Sequence, residues 1–193
     1  EDFTEGGTAD WMMEQLTVLA FIAAKTMKIR LAPSVMILPH RNPLVAAKVL
    51  ATLDVLSKGR LTVGVGVGWL KEEFAALGAP PFEERGAVSN EYIRAFKELW
   101  TSDNPSFRGN YCSFSDIRFE PKPVQKPHPP IWIGGESPAA IRRAATLGDA
   151  WHPIGSNPQY PLGKPEQLSE AMDKLTRCAA EVGRNPADIE LAF

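Results

Sequence analysis

The residues best placed to do chemistry are Gly134, Gly135, Glu136, Ser137 and Pro138. They lie where a short apolar run, Ile131-Trp132-Ile133, opens into the start of a helix. The first N–H groups of a helix have no internal partner, and the helix dipole adds partial positive charge. Paired glycines let an anion approach those groups, and the Ser137 hydroxyl can add a hydrogen bond. The chemistry implied is phosphate binding. The same residues also suit an ordinary strand-to-helix turn, with Ser137 as N-cap and Pro138 in the first helical position.

A second constellation is LTVGVGVGWLKEEF, residues 61–74. Valine and glycine alternate from 63 to 68, so one face of this strand is branched and the other bare. A bare face implies that something comes close to the backbone. Gly64, Gly66 and Gly68 lack the spacing of a dinucleotide fingerprint, and no acidic residue follows at the right distance. We read these three glycines as the bare face of a barrel strand beside a flat ligand ring, with tight strand-to-core packing as the other explanation. Pro33-Ser34-Val35-Met36 ends another strand. It could cup an aromatic ring system or be a plain strand end. His152 follows Trp151 at a strand end, where it could serve as acid or base or be structural. His40 and Arg41 fall in a loop, and His128, between prolines, is expected at the surface. Glu72 stands one turn after Gly68; the pairs Glu72-Glu73 and Glu83-Glu84 read as solvated charges. No Cys/His spacing suits zinc, and no GxSxG is present, so no metal or Ser nucleophile is expected.

The elements that must position these groups alternate between strand and helix. Apolar spacing predicts a helix over 10–26 and a strand over 28–35. Asn42-Pro43 starts a helix that Gly59 caps. After the glycine strand, a short helix runs from about Leu70 to Gly78. The loop 79–86 is placed to serve as a lid. Tyr92, Phe96 and Leu99, with Trp100 beside them, stripe a helix over 90–100. A hairpin fits 107–119, with its turn at Arg108-Gly109-Asn110. A proline-rich approach precedes the strand at 131–133, and a helix runs on to about Leu147. A strand follows at 149–154, then a helix from Pro165 to near Gly183 and a strand at 188–193. Repeated β/α units argue for a parallel α/β sheet, either a TIM (β/α)8-type barrel or an open doubly wound sheet. In a barrel, ligands sit in the loops after the strands.

At 193 residues the chain suits a single domain, 1–193. A net charge of -2, with 21 dispersed basic residues, argues against nucleic-acid or membrane-surface partners. Cys112 and Cys178 are too few for a disulfide scaffold and fit free thiols in the cytoplasm. No run approaches the roughly 20 apolar residues of a membrane span.

Four ordered segments carry a resemblance. They are KIRLAPSVMILPHRNPLVAAKVLATLDVLSKGRL, TVGVGVGWLKEEFAALGAPPFEERG, PPIWIGGESPAAIRRAATLGDAWHP and GRNPADIEL. From about Leu16 to Phe193 the chain resembles the luciferase-like monooxygenase family, particularly its coenzyme F420-dependent oxidoreductase branch. The resemblance implies a TIM-type barrel, incomplete at both ends of this chain. It implies a non-prolyl cis peptide at Ser34-Val35 that backs a deazaflavin or flavin ring. Residues 67–69 would lie along that cofactor, and Gly134 to Ser137 would take its phosphate. The F420-dependent sugar-phosphate dehydrogenases carry a glutamate where Trp69 stands. Trp69 cannot transfer a proton, which argues against sugar-phosphate oxidation and for a more apolar pocket, shaped by Trp69 and Trp151.

The leading expectation is a two-electron oxidoreductase passing a hydride between reduced F420 and a small organic substrate. The alternatives are an FMN-dependent monooxygenase using molecular oxygen and a flavin-binding protein without turnover. A homodimer is expected by likeness to the family.

Overall fold

The computed structural model describes residues 13–155 and 157–192. Helix α1 (Gln15–Lys25) opens on Glu14, whose carboxylate accepts from the N–H groups of Leu16 and Thr17. The expected onset at Asp10 lies outside the described residues, as does Phe193. Strand β1 (Met36–Ile37) is shorter than expected and displaced toward the C-terminus. The stretch 28–35 is not a continuous strand: it makes one bridge, Leu31 to Leu61, and then leaves the ladder at a cis peptide between Ser34 and Val35.

Helix α2 (Pro43–Ser57) begins as its sequence dictates. Asn42 Oδ1 accepts from Leu44 and Val45, and Pro43 takes the first turn. Its left-handed cap is Lys58 rather than Gly59, although Gly59 is also at positive φ. Strand β2 (Val63–Gly66) and helix α3 (Lys71–Leu77) follow. Helix α4 (Arg85–Thr101) starts five residues before the expected Asn90, led in by a single 3-10 turn at Phe82–Glu84. Its expected stripe of Tyr92, Phe96, Leu99 and Trp100 is buried. Strands β3 (Phe107–Arg108) and β4 (Ser113–Phe114) form the expected antiparallel hairpin. Then come β5 (Ile131–Gly134), α5 (Pro138–Leu147), β6 (Ala150–His152), α6 (Pro165–Glu181) and β7 (Glu190–Leu191).

The main sheet is parallel throughout, in the order β1-β2-β5-β6-β7. That order runs in one direction along the chain. A doubly wound sheet would reverse at a switch point, so the alternative of an open doubly wound fold is removed. Val63, Val65, Ile131, Ile133 and Trp151 form one buried face of the sheet. Burying each is worth roughly 1.5–3 kcal/mol. By strand alternation Gly64, Gly66, Trp132, Gly134 and His152 share the opposite face. No described helix is long and apolar enough to cross a membrane.

Candidate cofactor site

The second face is where the candidate residues meet. A Cβ added at Gly64 would lie 2.0 Å from the Pro33 carbonyl oxygen. One at Gly66 would lie 2.6 Å from Val35 Cγ2, and one at Gly134 2.9 Å from Val35 Cγ1. The bare face of β2 and the single glycine Gly134 of β5 therefore make room for the chain's own Pro33–Val35 segment. The ring wall expected at the glycines is instead offered by the segment that covers them. Gly68 has another reason to be glycine: its φ is +85°, and a Cβ there would press on Phe74 and Ile37.

The side chain of Ser34, two residues before β1, reaches His152 at the end of β6. Its Oγ lies 2.9 Å from His152 Nε2, while His152 Nδ1 lies 2.9 Å from the Ala192 carbonyl oxygen. A carbonyl only accepts, so Nδ1 carries a proton. The imidazole also packs against the Trp132 ring, at 5.7 Å between centroids. Ser34 is exposed and, with Pro33, Val35, Ile37, His40 and Arg41, lines part of a cavity of about 630 Å³.

The loop expected to take a phosphate follows β5. Gly135 has φ +102°, and Ser137 caps α5 by accepting from the Ala140 N–H, with Pro138 in the first turn. Arg143 sets α5 against α4 by donating to Asn90 Oδ1 at 2.6 Å and the Gly86 carbonyl at 3.0 Å. Burial pushes this guanidinium down to about 10. Glu136 departs from its expected role. Its buried carboxylate accepts from the N–H groups of Ile154 and Gly155, so it anchors the loop after β6.

Other expectations are corrected. Met36 is fully buried and pairs in register with Val65, on the face away from Ser34 and Gly134. Trp151 is fully buried too, its indole N–H donating to the Gly135 carbonyl, so it supports the glycine loop from behind instead of facing a substrate. His128 is not a surface residue; only 9% of its side chain is exposed, and its Nδ1 lies 2.9 Å from the Pro129 carbonyl. Val67 and Gly68 are half-buried at the end of β2, and Trp69 is 65% exposed. His40 packs edge-on against Phe74, which packs against Phe82. Burial lowers the His40 imidazole below its ordinary range. Among the described residues, no group of three or more His, Cys, Asp or Glu is placed to hold a metal.

The model of the luciferase-like monooxygenase family matches residues 3–193. The chain belongs to that family. Among luciferase-like relatives, it is 42% identical over 157 residues to an FMNH(2)-dependent dimethylsulfone monooxygenase of Pseudomonas putida, covering 80% of this chain and 43% of the relative. It is 35% identical over 150 residues to an F420-dependent glucose-6-phosphate dehydrogenase of Amycolatopsis mediterranei, covering 76% and 44%. The solved monooxygenase RslO1 of Streptomyces bottropensis superposes with a TM-score of 0.78 at 29% identity, over 93% of this chain and 54% of that one. The chain thus spans about half the length of the luciferase-like proteins it matches, as part of a TIM-type barrel.

The residues present fit a flavin-type group. Ser34 and Val35 give a wall with one polar and one apolar side chain. Val35 is packed against Gly134, so that wall adjoins the glycine loop at the start of α5. Sequence reasoning missed Glu91, Asp54 and Arg60. Glu91 is buried and accepts from the N–H groups of Asn110, Tyr111 and Cys112. Asp54 accepts from Val124 and Gln125, and Arg60 donates to carbonyls of α1 and of the turn after it. They hold the hairpin, the proline-rich approach and α1 in place. Of the three, only Arg60 stands beside a turn glycine, Gly59, and Glu91 and Asp54 carry no such local signal.

Proposed function

We propose that this protein is an oxidoreductase working through a reduced flavin-type ring held over Ser34–Val35. The ring's phosphate would lie at Gly134, Gly135, Ser137 and the first turn of α5. The observation that carries this reading is Val35, which covers Gly64 and Gly66 and touches Gly134. One side chain thereby links the ring wall to the phosphate loop.

When bound, such a ring supplies two electrons, to an organic substrate as a hydride or to molecular oxygen. The chain's residues would do the rest. Val35 and Ile37 would offer apolar surface and exclude water. The N-terminus of α5 would hold an anion by its N–H groups and dipole. Trp69, exposed after β2, would bound the substrate side without exchanging a proton. The 79–86 segment would close over it, tied by the Lys71–Glu83 ion pair and by Arg85 over the Phe82 ring, 3.9 Å from its centroid. FMN with oxygen is supported by the 42% identity to an FMNH(2)-dependent relative. Hydride transfer through F420 to a small organic substrate is the second reading, supported by the F420-dependent relative at 35%.

The test is an anaerobic titration of the chain with FMN and with F420, oxidised and reduced, followed by fluorescence. Oxygen uptake is then measured on admitting air to the reduced complex. Tight FMNH2 binding with oxygen uptake supports monooxygenation, and F420 binding alone supports hydride transfer. Binding without turnover across a range of substrates supports a carrier. Failure to bind either ring refutes the site.

A further inference from the structure

We propose that His152 is a positioning residue that fixes the Ser34 hydroxyl as a hydrogen-bond acceptor, so that the site favours the reduced over the oxidised ring. Ala192 sets the tautomer. Its carbonyl oxygen, 2.9 Å from His152 Nδ1, can only accept, so the Nδ1 nitrogen carries the proton. In the neutral imidazole Nε2 is then an acceptor. Ser34 Oγ, 2.9 Å away, must donate to it. A hydroxyl has one proton and two lone pairs. With its proton committed to His152, the exposed Ser34 oxygen presents only lone pairs to the cavity it lines.

The arrangement is held from several sides. His152 pairs with Gly134 in the β5–β6 ladder, and the Gly135 N–H donates to the His152 carbonyl. Trp132 packs on the ring. Pro33 and Val35 on either side of Ser34 are fixed against Gly64, Gly66 and Gly134. An acceptor-only oxygen matches a ligand edge that bears N–H. Reduction adds an N–H to either flavin or deazaflavin that the oxidised ring lacks. The inference rests on the flavin-type reading for its ligand, but the state of His152 belongs to the protein alone.

Two measurements test it. The first is the long-range ¹H–¹⁵N spectrum of the histidine side chains in the ligand-free chain, with His152 assigned by its loss in His152→Phe. The expected result is the Nδ1–H tautomer, retained in Ser34→Ala with Nε2 shifted by loss of its donor. An Nε2–H tautomer would overturn the proposal. The second is the ratio of dissociation constants for oxidised and reduced FMN, measured anaerobically. The parent should favour the reduced form, and Ser34→Ala and His152→Phe should each reduce that preference by about fivefold to tenfold, the worth of one hydrogen bond. If His152→Phe fails to fold, Ser34→Ala alone decides. FMN binding with a ratio that ignores the variants refutes the role of His152. A parent that binds neither FMN nor F420 defeats the flavin-type reading instead, and the tautomer still decides whether His152 orients Ser34.

Discussion

Replacing Gly64 by alanine tests the packing on which the site is built. The new Cβ would stand 2.0 Å from the Pro33 carbonyl oxygen and 3.2 Å from its carbon. Ordinary Cβ contacts begin at about 3.4 Å, so strand or segment must move by more than an ångström. Neither moves cheaply. β2 is paired on both sides, to β1 and β5, and the obstacle is backbone. Overpacking costs typically 1–3 kcal/mol, and a rigid backbone clash belongs at the top of that range, about 3 kcal/mol. In a domain of this size that lowers Tm by roughly 6–12 °C. Gly66→Ala should cost less, because it meets the Val35 methyl rather than main chain. Gly163→Ala, with nothing within 4 Å, is the neutral control. Urea and thermal unfolding followed by tryptophan fluorescence would rank the three. A Gly64→Ala protein within about 0.5 kcal/mol of the parent, the usual scatter of benign surface changes, would refute the packing argument.

Other outcomes follow from the same geometry. Glu91→Ala should cost about 1–3 kcal/mol by leaving the N–H groups of residues 110–112 without their carboxylate, and faster amide exchange at those residues should accompany it. Burial works to raise the Glu14 carboxyl, but hydrogen bonds from Thr17, Leu16 and Arg41 outweigh it and hold it at about 2. A folded-state value below the unfolded one stabilises α1 fully above the ordinary 4.5 and loses that contribution as pH falls toward about 2. Amide signals of α1 should therefore report fraying across that window, and Glu14→Gln should abolish the pH dependence. Asn42→Ala should cost about 1 kcal/mol by uncapping α2, measured by urea unfolding. Burial raises the Cys112 thiol, which is 7% exposed, so iodoacetamide should label the less buried Cys178 first, as mass spectrometry would show.

What the sequence made legible was local. Asn42-Pro43 and Ser137-Pro138 start helices because N-cap and first-turn preferences act within three residues, and both appear in the structure. The stripe of α4 and the hairpin turn are equally short-range. The glycine run told truly that something approaches β2, but not what. The neighbour, Val35, lies some thirty residues earlier and reaches the strand only through the fold. Met36 and Trp151 were misplaced because a strand's end tells where a side chain sits along the sheet, not which face it takes. Register with Val65 and Ile133 settles that. Glu91 was missed, and Glu136 was assigned to the anion loop, because the partners of both carboxylates are backbone N–H groups about 20 residues distant, which no local pattern reveals.

The central claim is that Ser34–Val35 and the N-terminus of α5 hold one flavin-type group. A crystal structure of the protein grown with FMN or F420 tests it most directly. The ring is predicted against Ser34 and Val35, with the phosphate at the Gly134–Ser137 loop and the first turn of α5. A ring seated elsewhere, such as the cavity of about 370 Å³ bordered by Tyr92, Tyr111 and Pro80, with the α5 N-terminus left free of phosphate, would contradict it.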